Sequence, residues 1–181
     1  TYPQLEFKIT KDEIQELKNE GLLNKENLIT DVSNQDTLTK LLYAVAWKNG
    51  DLKKIRHIVE GIEYEHDDGK ESALVFYQFG KYLTKRPGEP IIDQHVLRAY
   101  GLFEALANDD KKEIERLKTL SVVTKKEKNL INSYKLWLKQ SLSKELRECE
   151  NYAYYVDKVL FAVGKKVKSE HNKKARVANK G

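Results

Sequence analysis

Along most of this chain apolar residues return every three or four positions, in blocks separated by Gly, Pro and Asn, which is the signature of amphipathic helices joined by turns. Thr10-Lys11-Asp12-Glu13 predicts the first start: Thr10 caps, Glu13 reaches back, and Ile14 and Leu17 follow on one face until Gly21. Leu38, Leu41, Leu42 and Val45 mark a second helix that leads to Trp47 and stops at Asn49-Gly50, and this stripe predicts a core helix. Asp51 is the expected cap of a third, carrying Leu52, Ile55, Ile58 and Val59 and closed by Gly61. The stretch GIEYEHDDGK, Gly61 to Lys70, is polar and acidic and predicts a loop or tight hairpin. A largely buried helix with Leu74, Phe76, Tyr77 and Phe79 is expected from Ser72 to about Leu83.

KRPGEP, Lys85 to Pro90, cannot continue a helix. After it, Ile91-Ile92 leads into Asp93, the expected cap of a helix bearing Val96, Tyr100 and Phe103. Two more helices are expected at 109–119 and 125–143, the second carrying Trp137. From Leu146 the apolar positions Cys149, Ala153, Val156, Leu160 and Val163 continue in steps of three and four, predicting one long core-facing stripe. The expected fold is all-α, a compact array of about seven or eight helices in one domain over 1–163, followed by a basic tail over 164–181. Nine Gly and three Pro in 181 residues agree with helices rather than a turn-rich β fold.

Charge refines this picture only once it is located. The net charge is +5, but residues 164–181 hold seven Lys/Arg against Glu170, so they carry +6 and the preceding 163 residues sum to −1. Lys165, Lys166 and Lys168 are therefore candidate phosphate contacts beside the plainer reading of a solvated helix end. The single Cys149 rules out an internal disulfide framework, a cysteine-rich zinc site and a four-cysteine iron–sulfur cluster, in keeping with a reducing cytoplasm. No apolar run reaches the length of a membrane span, and no signal-peptide core opens the chain, so no membrane partner is expected. No phosphate-binding Gly loop or dinucleotide fingerprint is present, and His66, His95, Asp67, Asp68 and Asp93 lack a helical metal-ligand spacing; neither cofactor nor metal is expected.

One constellation stands out. Asp93-Gln94-His95-Val96-Leu97-Arg98 places an acid, a histidine and an arginine at a helix start. Each has an ordinary explanation: Asp93 as a cap on the positive end of the helix dipole, His95 as a hydrogen-bonded structural group, Arg98 as the partner of a nearby carboxylate. Together they resemble the D-T-H-x-x-R stretch of the helix–hairpin–helix DNA glycosylases, the superfamily that includes endonuclease III. Gly69-Lys70-Glu71-Ser72-Ala73 resembles the same family's G-x-K-T-A run, and the likeness covers roughly residues 35–105, with the C-terminal helices closing the bundle.

The resemblance implies a DNA partner and base-excision repair. It implies cleavage of an N-glycosidic bond, with Asp93 stabilising the positive charge that develops on the sugar or activating water. Lys70 is implied as the nucleophile of a Schiff base, and His95 and Arg98 as binding groups. A base flipped from the stack would need an apolar pocket, for which Trp47, Tyr77, Tyr100 and Trp137 are available, although at helical spacing each also fits a core. The family's L-P-G-V-G hairpin signature is replaced by Ile62 to Asp68, whose acidity opposes phosphate. That substitution favours the alternative, a non-catalytic helical binding or interaction module. A further alternative uses the C-terminal stripe to dimerise; the sequence leaves the oligomeric state open, leaning to a monomer.

Overall fold

Helix starts in this chain are fixed by short acceptor side chains. Thr10 and Glu13 form the reciprocal box ahead of α1 (Lys11–Asn19): the Glu13 carboxylate accepts the Thr10 N–H at 2.7 Å, and the Thr10 hydroxyl accepts the Glu13 N–H at 3.2 Å. Asp36 accepts the Leu38 and Thr39 N–H groups ahead of α2 (Thr37–Lys48), and Asp93 does the same for His95 and Val96 ahead of α5 (Gln94–Ala107). Asp51 differs. Its carboxylate pairs with Lys54 instead of capping α3 (Leu52–Glu63). The other helices are α4 (Leu74–Leu83), α6 (Lys111–Thr119), α7 (Lys128–Gln140), the short α8 (Lys144–Glu148) and α9 (Tyr152–Ala178).

This is a computed structural model, and it describes residues 4–64 and 72–178, with side chains to residue 173. The chain is all-α; among the described residues the one β feature is an isolated bridge between Leu23 and Ile29. Where one domain over 1–163 was expected, backbone contacts group the chain into two compact units, Leu5–Arg86 and Pro87–Gly181 with Thr1–Gln4, divided inside the KRPGEP breaker. No described helix is long and apolar enough to cross a membrane.

In the Leu5–Arg86 unit, Ile14, Leu23, Val59 and Ile62 form a buried cluster. The pairing of α3 with α4 depends on two glycines. A methyl group on Gly61 would overlap the carbonyl of Tyr77, and one on Gly80 would overlap that of Ile58, so the backbones meet where side chains usually stand. Gly61 therefore does not close α3, as its position in the sequence suggested; the helix runs through it to Glu63. The prediction for α2 fails outright. No residue of that helix is buried, and Leu38, Leu41, Leu42 and Val45 all stand in solvent, while Thr39, Tyr43 and Ala46 on another face are half-buried.

In the other unit α5 is central, with Val96, Leu97, Tyr100 and Ala105 buried together with Leu117 of α6 and Ile131, Tyr134 and Leu138 of α7. The long stripe expected from Leu146 is broken at Asn151, which adopts a left-handed φ of 56° between α8 and α9. Leu146 and Cys149 are exposed, and Val163 is too. Ala153 of that stripe is buried and Val156 and Leu160 are half-buried, and from Ala153 the fully buried line of α9 runs through Asp157 and Gly164. Asp157, fully buried, accepts the Tyr134 hydroxyl at 2.6 Å and the Ile91 N–H. A side chain on Gly164 would overlap the backbone of His95, so that glycine sets how closely α9 crosses α5.

Candidate nucleic-acid interface

The start of α5 gathers the three residues of the D-x-H-x-x-R constellation. Ile92 is buried and anchors the extended lead-in, so the chain enters the helix at a fixed angle. The Asp93 Oδ1 atom accepts the His95 N–H at 2.7 Å and the Val96 N–H at 2.8 Å, with the carboxylate half-buried. This is the cap geometry, and it also fixes a negative charge at the helix start.

His95 and Arg98 face inward. The Arg98 Nη1 atom donates to the Gly164 carbonyl at 2.9 Å and lies 2.7 Å from His95 Nδ1, and Nη2 donates to the Leu120 carbonyl. A guanidinium can only donate, so Nδ1 must be the acceptor, which makes His95 neutral with its proton on Nε2. Burial pushes the His95 pKa down and the charge of Arg98 pushes the same way, against the opposing pull of Asp93. The His95 ring meets the Phe161 ring edge-on, with centroids 5.1 Å apart. Arg98 is itself fully buried, and its Nε atom has no hydrogen-bond partner. Its guanidinium thus ties α5 to α9 and to the turn at Leu120, rather than pairing with a carboxylate or standing open to a phosphate.

The basic residues of α9 have the opposite character. Lys165 and Lys166 are exposed, and Lys165 stands 6.0 Å from the centre of the Phe161 ring. Lys168 is half-buried, with its Nζ 3.5 Å from the Gln94 side-chain oxygen at the start of α5. Lys158 and Lys173 extend the basic face in both directions, and an open concavity of about 580 Å³ runs along it, lined also by Phe161, Ala162, Ser169 and a single acid, Glu170, against the four lysines. Lys158 and Lys165 are seven residues apart, and so are Lys166 and Lys173, each close to two whole turns, so the four occupy one face of the helix about 100° wide. This face crosses position 164, so Lys158 belongs with Lys165, Lys166 and Lys173 of the basic tail.

Lys70 and His66 lie outside the described residues. Of the aromatic groups considered for a base pocket, Tyr77 and Tyr100 are core residues. Trp137 is half-buried against Tyr100 and Tyr134, and Trp47 is exposed on α2. No cluster of His, Cys, Asp and Glu suited to a metal occurs among the described residues. Compared with protein-family models, curated proteins and solved structures, the chain matches none.

Proposed function

We propose that this protein binds nucleic acid by its phosphate backbone through the lysine face of α9, as a helical protein resembling the helix–hairpin–helix glycosylases. The observation that carries this reading is the alignment of Lys158, Lys165, Lys166 and Lys173 on one open surface of an otherwise near-neutral chain. A row of flexible ammonium groups suits phosphates along a groove and carries no base specificity of its own.

The finer reading, cleavage of an N-glycosidic bond, rests on the resemblance and on Asp93. A carboxylate held by two backbone N–H groups is oriented before substrate arrives, which is the preorganisation that stabilising a sugar cation requires. Asn substitutes for Asp as a cap while removing the charge. Asp93→Asn therefore separates the two roles: base release from damaged duplexes is lost while the melting temperature holds. If Lys70 acts as a Schiff-base nucleophile, borohydride traps the protein on an abasic duplex, and Lys70→Ala abolishes the trapped species.

Binding is read by fluorescence anisotropy on a labelled duplex. Lys158→Glu combined with Lys165→Glu is expected to weaken it by about 100-fold at low salt, since two favourable phosphate contacts become repulsive. Unchanged binding in that variant removes the lysine face from the account. The second reading, a non-catalytic interaction module, is favoured by one observation, the apolar stripe on the outside of α2.

A further inference from the structure

We infer that α2 is a self-association surface, on which a second copy of this chain packs antiparallel. The helix presents Leu38, Leu41, Leu42 and Val45 at 64%, 60%, 62% and 59% exposure, a continuous stripe at i, i+3, i+4 and i+7. Scattered exposed apolar side chains are normal on a protein surface, but a whole helical stripe is not. A helix–helix contact requires this spacing. The face that α2 turns toward its own unit is the less apolar one, with Thr39 and Tyr43 half-buried there.

The stripe is its own complement. A two-fold axis between Leu41 and Leu42 sets Leu38 opposite Val45 of the second copy and Leu41 opposite its Leu42, so the same four residues serve both sides of an isologous contact. The charges agree with that direction and with no parallel arrangement. The helix holds no acidic residue, its capping Asp36 stands at one end and Lys48 at the other, and antiparallel pairing brings each Asp36 to the Lys48 end of the second copy. Parallel pairing would instead stack like charges at each end. Lys40 lies on the far side of the helix from the stripe and adds no repulsion.

The area sets the strength. Four side chains of this size, about three-fifths exposed, offer on the order of 400 Å² per copy, and with the flanking Thr37 and Lys48 stems a pair approaches about 1,000 Å². That is the lower end of specific interfaces, so the contact is a weak one, half-formed at tens of micromolar. It uses none of the residues assigned to the lysine face of α9, so it stands or falls separately from nucleic-acid binding.

Sedimentation equilibrium on the full chain tests this. At about 100 µM the expected weight-average mass is about 1.7 times the chain's 21.1 kDa, falling toward a single chain at about 1 µM. Leu41→Lys and Leu42→Asp are each expected to be monomeric at about 100 µM, with helical circular dichroism and melting unchanged because the stripe touches no core. Mixed in equal amounts they are expected to regain the dimer, since Lys at 41 then faces Asp at 42 of the other copy. A single-chain mass for the wild type at about 100 µM overturns the inference and leaves the stripe to a different partner. A dimer that survives both substitutions also overturns it, by placing the contact elsewhere.

Discussion

Helices α2 and α9 carry equally regular apolar spacing, yet the stripe of α2 lies wholly outside and that of α9 is split, with Ala153 buried, Val156 and Leu160 half-buried and Val163 exposed. In α2 the stripe is outside. In α9 the apolar line through Val163 is also partly outside, and the face against α5 is set by a buried acid and a glycine. Spacing shows that a helix has two faces. Which one is buried depends on where backbones come closest and where a buried polar group finds partners. Asp157 and Gly164 supply both on α9, and α2 has no counterpart to either.

Gly164→Val strikes hardest at this comparison. The added side chain meets the His95 backbone, which cannot yield as a flexible side chain would, so a loss of about 3 kcal/mol or more is expected, readable as a shift in the urea midpoint. Leu117→Ala, at a fully buried site, is expected to cost about 2 to 5 kcal/mol. Leu41→Ala, measured below the association range, is expected to stay within about 0.5 kcal/mol of wild type. Equal losses at Leu117 and Leu41 would break the distinction between the helices.

Smaller effects come from titration. Burial pushes the Glu127 carboxyl up, but hydrogen bonds from the Thr124 backbone and hydroxyl and the pairing with Arg116 outweigh it, leaving the pKa below the usual glutamate value. A group depressed on folding contributes stability above its unfolded pKa and loses it as pH falls through the folded one, so this contribution fades below about pH 4.3. The depressed His95 pKa acts in the same sense at higher pH. Its contribution is complete above about 6.5 and is lost as pH falls below that, because protonated Nδ1 can no longer accept from Arg98. Thermal melting between pH 7.5 and 5 should therefore fall more in wild type than in His95→Gln. Least of all, Asp93→Ala removes a cap and is expected to cost about 1 kcal/mol, against a few tenths for Asp93→Asn.

Much of the fold is legible along the chain because its signals are local. The Thr10 box, the Asp93 cap and the Lys85–Pro90 breaker act within one helical turn, and they fall where the sequence places them, whereas the Asp36 cap went unread. What the sequence withheld is tertiary. Gly61 has the look of a helix stop, and only the approach of Tyr77 reveals it as a packing position. Arg98 offers itself as a surface charge until Gly164 and Leu120 present carbonyls to it. The exposed stripe of α2 has no local mark at all, since a core helix and an interface helix share one period. The lysine face of α9 is legible in the seven-residue steps from Lys158 to Lys165 and from Lys166 to Lys173, provided the helix continues across position 164.

If the proposed phosphate contacts run along α9, duplex binding must weaken steeply with salt. Four lysines at phosphates predict that the logarithm of the binding constant falls with the logarithm of salt concentration at a slope of about −3.6. Replacing Lys158, Lys165, Lys166 and Lys173 by Ala is expected to bring that slope close to zero. A slope that stays steep in the quadruple variant, or a wild-type protein with no measurable duplex affinity at low salt, would contradict the account.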